Sequence, residues 1–157
     1  MSYDLLLNEA YANGITIKER PFKTYDGRIK NQTIYLRQDM NTAKKSCVLA
    51  EELGHYYTTV GDILDQGNVN NRKQELRARI WAYNKQIGLY GIIQAYKARM
   101  QNSQEVADYL GVTLPFLQDA IEYYHQKYGI CTTVDNYIVF FEPCLAVMES
   151  VSYYESD

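Results

Sequence analysis

Apolar positions along the chain change their period several times, and each change marks an element. In YDLLLNEAYAN, residues 3–13, Leu6, Leu7, Ala10 and Tyr11 recur at helical spacing, and Gly14 is a natural stop. ITIKERPF alternates briefly until Pro21, as a short strand ending in a turn does. YDGRIKNQTIYLR places a turn at Asp26-Gly27 and a β-rich segment at Thr33–Arg37, so a small antiparallel sheet of about three strands is expected. Asn41 or Thr42 then caps a helix through AKKSCVLAEELGHYY to about Thr58. The loop DILDQGNVNN separates it from a second long helix, RKQELRARIWAYNKQI, which Gly88 ends. A further helix is expected around residues 90–100. SQEVADYLGVTLPFLQDAIEYYHQKYG reads as two helices about a tight turn at Gly111-Val112, capped by Ser103 and Thr113, with Pro115 in the second helix's first turn. CTTVDNYIVFF, β-branched and apolar around Asp135-Asn136, is a hairpin. Helices and strands in this order make a single α+β domain, with a core over residues 1–88 and a helical part with a hairpin over 89–157.

Composition narrows the class. A chain of 157 residues, 46% hydrophobic and 22% charged, is ordinary for one globular domain. Sixteen tyrosines imply many half-buried rings whose hydroxyls reach water or a partner. No apolar run approaches the roughly 18 residues of a membrane span, and there is no basic-then-apolar leader, so a cytoplasmic protein without membrane contact is expected. Cys47, Cys131 and Cys144 are odd in number and widely spaced, which reads as reduced thiols and not as a disulfide framework or a structural zinc site. The formal charge of −3 hides an asymmetry: residues 18–45 carry eight basic side chains against Glu19, Asp26 and Asp39, whereas the segment after 141 is acidic. Such runs are usually solvated faces.

The chemistry concentrates in CVLAEELGHYY, residues 47–57. Residues four apart on a helix lie one above the other, so Glu51 and His55 project side by side, as the two histidines of an HExxH zinc motif do. Glu52, the next residue, stands where a general base reaches the attacking water. Zinc accepts carboxylate oxygen as well as imidazole nitrogen, and a carboxylate at the first position shifts preference toward manganese or ferrous iron. A catalytic site needs a third protein ligand. Glu75 is the best candidate, because Glu75, Ala78 and Ala82 share one helix face and small residues let two helices approach closely. Asp62 and Asp65 are rivals in the intervening loop, where nothing in the spacing holds them. Adjacent glutamates on a helix are common, so E-x-x-x-H is a weak pattern by itself. The apolar CVLA before it, which buries part of Glu51, and Gly54 within a helix both argue for a purpose.

LAEELGHYYTTVG followed by QELRARIWAYNKQI resembles the ImmA/IrrE metallopeptidases, whose pattern is HExxH with a downstream glutamate in an ExxA context, here Glu75-Leu-Arg-Ala78. The resemblance spans nearly the whole chain and implies a minimal zincin-like fold, a small sheet packed on helices. It implies Glu51, His55 and Glu75 as ligands of a divalent metal, zinc above all, with Glu52 as the base. It also implies a function: a prophage or mobile-element peptidase acting on a helix-turn-helix repressor to relieve repression. Glu51 in place of the usual His leaves open a catalytically silent anti-repressor that binds its partner without cutting it.

Direct DNA binding through the two-helix segment is not expected. Residues 113–126 offer Asp119 and Glu122 but no Lys or Arg, and only Gln118 and Gln126 as amides, so that helix repels phosphate. His125 reads as a hydrogen-bonded boundary histidine, and beside Tyr56 and Tyr57 it is a candidate for stabilising an oxyanion.

Overall fold

The computed structural model describes residues 1–59 and 68–151 and has the α+β architecture expected. Helix α1, Tyr3–Ala12, leads through Gly14 into strand β1, Thr16–Arg20. Strands β2, Gly27–Lys30, and β3, Thr33–Arg37, follow, and then helices α2, Thr42–Thr59, and α3, Asn68–Gln86. The C-terminal part adds α4, Gly88–Lys97, α5, Ser103–Leu110, and α6, Leu114–Tyr128, before strands β4, Cys131–Val134, β5, Tyr137–Phe140, and β6, Ala146–Glu149.

The first sheet has the three strands expected, in the order β1-β3-β2, but its pairing is mixed. β2 and β3 form an antiparallel hairpin through Asn31, whose φ of 56° is the left-handed conformation a two-residue turn demands. β1 runs parallel to β3, because residues 21–26 carry the chain across the sheet to its far edge before the hairpin begins. Gly27 is therefore the first residue of β2 and not part of a turn. The second sheet, β4-β5-β6, is wholly antiparallel, and its hairpin turns at Asp135 as read from the sequence. Its third strand had no sequence signal: of Ala146, Val147, Met148 and Glu149 only Val147 is not exposed, so the alternation is too short and weak to see.

Local boundaries follow their caps. Asn41 Oδ1 accepts from the Lys44 N–H at 2.8 Å and starts α2. Asn102, not Ser103, caps α5 by accepting from the Glu105 N–H at 2.9 Å. Thr113 caps α6 as expected, accepting from Phe116 at 3.3 Å. α3 begins at Asn68, four residues earlier than its apolar pattern indicates.

The core lies between the inner face of the first sheet and helices α1 and α2, with Leu6, Ile34, Leu36, Leu49 and Leu53 at or near zero exposure. Burying a side chain of this size stabilises the fold by about 1.5–3 kcal/mol. A second apolar layer, Tyr83, Phe116, Leu117, Tyr124 and Phe141, fastens α6 and the second sheet to α3. Tyr124 shows how the tyrosines are accommodated: its ring is fully buried while its hydroxyl donates to Asn84 Oδ1 at 3.0 Å. Among the described residues no helix is long and apolar enough to cross a membrane.

Candidate metal centre

Two helices build the site, and a glycine sets their separation. Gly54 on α2 is buried directly against Ala78 on α3; a Cβ at residue 54 would stand 2.4 Å from the Ala78 carbonyl oxygen. Ala78 and Ala82 are both completely buried, as the small-residue face around Glu75 leads one to expect. This close approach sets His55, the next residue on α2, beside Glu75, one turn before Ala78 on α3. His55 Nε2 lies 3.4 Å from Glu75 Oε1. Two ligands each about 2.0–2.1 Å from a tetrahedral ion stand about 3.4 Å apart, so the nitrogen–oxygen pair fits one edge of a divalent-metal site.

Glu51 sits one turn before His55 in a cleft of about 280 Å³. It is half-buried, and burial first of all raises its pKa, with Arg79 and Lys44 opposing that shift and Glu75 and Asp119 adding to it. Its carboxylate does not join the His55–Glu75 pair: among the described residues no three His, Cys, Asp or Glu side chains gather closely enough to hold an ion. The structure thus brings two of the three expected ligands together and places the third, of suitable donor chemistry, on the same helix beside two cations. Asp62 and Asp65 lie outside the described residues.

Glu52 faces the sheet. The Ile29 backbone N–H of β2 donates to its carboxylate, and Gly27 packs against its stem. Burial, then the neighbouring charges of Glu51 and Glu75, push its pKa up to about 7, against the pull of the Ile29 hydrogen bond. That is the range in which a carboxylate serves as a general base at neutral pH. Gly27 is what lets β2 come so near. A Cβ there would meet Val48 Cγ1 at 2.5 Å and Glu52 Oε1 at 3.2 Å. Gly27→Ala is expected to displace β2 from α2 and lower any hydrolytic rate at least tenfold while costing the fold about 1–2 kcal/mol, read from paired activity and thermal-melt measurements.

Sequence reasoning missed the cleft's far wall. Thr113, the N-cap of α6, and Phe116 and Asp119 of α6 close it opposite α2, so the two-helix segment that resembles a DNA reader walls the cleft that holds Glu51 and Glu52, whereas His55 and Glu75 are not among the residues lining it. The acidic character of α6 was visible, but its meaning required knowing that α6 folds back over α2. Cys47 is buried at this seam, its Sγ 4.0 Å from Thr113 Oγ1, and burial raises its thiol pKa, as suits an inert reduced cysteine. Lys44, which lines the same cleft, is held by Asp26 at 3.2 Å. His125 pairs with Glu142, Nε2 to Oε1 at 2.5 Å, and is not among the cleft's lining residues. Tyr57 packs on Trp81, with ring centroids 5.2 Å apart.

The fold is α+β, and its E-E-x-x-H helix and ExxA helix meet at a histidine–carboxylate pair. Comparison with family models agrees: residues 10–122 match peptidase M78, the IrrE N-terminal-like domain. The chain belongs to this family, the ImmA/IrrE group, and membership points to a metallopeptidase that uses a divalent metal. No curated protein matches the chain.

Proposed function

We propose that the chain is a metal-dependent endopeptidase with Glu51, His55 and Glu75 as its metal ligands and Glu52 as its general base. The observation that carries this reading is the 3.4 Å approach of His55 Nε2 to Glu75 Oε1, from two helices with no space between them at Gly54 and Ala78. When bound, a divalent cation would acidify a water molecule and polarise a peptide carbonyl. Zinc suits the pair best, and manganese or ferrous iron suits the carboxylate-rich set.

The chain's own residues would do the rest. Glu52, which lines the cleft beside β2, would take the proton of the attacking water and pass it to the departing amine. The cleft wall formed by Thr113, Phe116 and Asp119 would limit access of bulk water to Glu51 and Glu52. The resemblance implies a helix-turn-helix repressor as substrate, in the cytoplasm, with derepression of a prophage or mobile element as the outcome.

A second reading has its own observation. Burial raises the pKa of Glu51 in spite of Arg79 and Lys44, so the folded chain favours its protonated form, which is a poor metal ligand. On that reading the protein is an anti-repressor that binds without cutting.

Elemental analysis of protein purified without chelator or metal-binding tag separates the two. About one metal per chain, lost in both His55→Ala and Glu75→Ala, is expected of the peptidase. A chain that stays metal-free after incubation with zinc, manganese and iron, yet binds the repressor, would establish the anti-repressor.

A further inference from the structure

The outer face of the first sheet is unlike the rest of this acidic protein. Side chains alternate across a strand, and α1 and α2 cover the face that carries Ile17, Ile34, Leu36 and Ile29. The opposite face is open. In register across it run Lys18, Tyr35 and Arg28, from β1, β3 and β2 in turn. The rows on either side hold Arg20 opposite Arg37, and Thr33 opposite Lys30. Lys18, Arg20, Arg28 and Lys30 are all exposed. Glu19, the acidic residue between two of these cations, points the other way, to the Tyr3 hydroxyl and Lys45.

These charges are close and poorly compensated. Neighbouring strands are about 5 Å apart and alternate residues on one strand about 7 Å apart, so the cations form a dense grid. Like charges directly opposite one another destabilise a sheet. Arg37 is relieved by Asp26 at 2.9 Å and Asp39 at 2.7 Å. Lys18, Arg20, Arg28 and Lys30 have no ion pair among the described residues, and Arg28 leans over the Tyr25 ring at 5.9 Å. A sheet that keeps four uncompensated cations on one face is complementary to a polyanion.

The aromatic ring decides which polyanion. Tyr35 occupies the middle of the central strand with a cation on each side. An acidic peptide would need the cations alone. An unpaired base stacks on an aromatic ring while its neighbouring phosphates meet Lys and Arg, the arrangement by which sheets hold single strands. We infer that the outer face of the β1-β3-β2 sheet binds single-stranded nucleic acid, with Tyr35 as the stacking platform and Lys18, Arg20, Arg28 and Lys30 on the phosphates. This surface is separate from α6, whose acidic residues still exclude a major-groove reader.

The test is fluorescence anisotropy of a labelled 20-nucleotide single-stranded DNA of mixed sequence and of its duplex, titrated with the full chain from 50 to 300 mM salt. Four phosphate contacts predict a slope of log K against log salt of about −3 for the single strand. Lys18→Ala/Arg28→Ala/Lys30→Ala should weaken binding at least tenfold at low salt and bring the slope to about −1. Tyr35→Thr should weaken the single strand severalfold and leave the duplex unaffected. Arg72→Ala/Lys73→Ala, exposed cations on α3, should change nothing. Removing like charges leaves the fold intact, which a thermal melt verifies. Absence of binding at 50 mM salt, indifference to the triple substitution, or equal duplex affinity with indifference to Tyr35→Thr would each overturn the inference. Competition by poly-glutamate as effective as by the oligonucleotide would overturn it in favour of an acidic protein partner.

Discussion

Glu52→Gln is expected to abolish hydrolysis while making the metal-free fold more stable. Loss of a positioned general base lowers rate by about 10²–10⁴-fold. Metal content should not change, because Glu52 is the proposed base and not a ligand. The stability effect comes from the same carboxylate. Its pKa is raised from 4.5 to about 7 on folding, so between those values the folded chain holds a proton that the unfolded chain has released. Stability from this group is therefore full below pH 4.5 and is lost as pH rises through 7. Glutamine keeps the acceptor for the Ile29 N–H and carries no charge to desolvate. In the presence of chelator at pH 8, Glu52→Gln should be more stable than the native chain by about 2–3 kcal/mol, and at pH 4.5 the two should be equal. Urea melts at the two pH values check this. A variant equally stable at both would mean that Glu52 is not the strained group, and its assignment as base would lose its physical support.

Gly54→Ala has the opposite signature. On an isolated helix alanine is better than glycine by about 1 kcal/mol. Here its methyl group would lie 2.4 Å from the Ala78 carbonyl oxygen, and that obstacle is backbone, which no rotamer change removes. Overpacking of this kind costs about 1–3 kcal/mol or more, so a net loss of about 2 kcal/mol is expected. The functional loss should be larger still. Separating α2 from α3 moves His55 away from Glu75, and ligands must be held to within about 0.5 Å. Metal affinity measured by competition with a chromogenic chelator should fall at least a hundredfold. Ala78→Gly made together with Gly54→Ala should not restore it, since the carbonyl remains.

Much of this was legible in the chain. The motif helix, the ExxA helix and their small-residue contact follow from spacing, because helical period converts sequence distance into a shared face. The His55–Glu75 approach is the geometric form of Gly54 and Ala78, both visible as small residues in helical segments. What spacing could not supply was direction in space. Glu51 shares a face with His55, yet which neighbours surround its carboxylate depends on Arg79 and on α6, contributed from far along the chain. The same limit hid the parallel pairing of β1. Short strands announce themselves by alternation, but the path of a six-residue connection decides whether the next strand arrives beside or beyond its predecessor. Gly27 shows the difference clearly. Next to Asp26 it has the composition of a turn, and its purpose, letting an edge strand touch a helix, belongs to tertiary structure.

That connection has an evolutionary side. The register of β1 on β3 is set by Ile17 and Ile34 facing inward, and the register of β2 by its two-residue hairpin and by Asp26, whose carbonyl accepts from the Arg37 N–H, so residues 21–25 specify neither. Doubling such a link adds only about 0.6 kcal/mol of closure entropy. The residue that follows it, Asp26, lines the cleft. Insertions in this link can therefore remodel the entrance to the site while the sheet stays in register, which makes it the place where descendants of this fold can change what they admit without first solving the folding problem again.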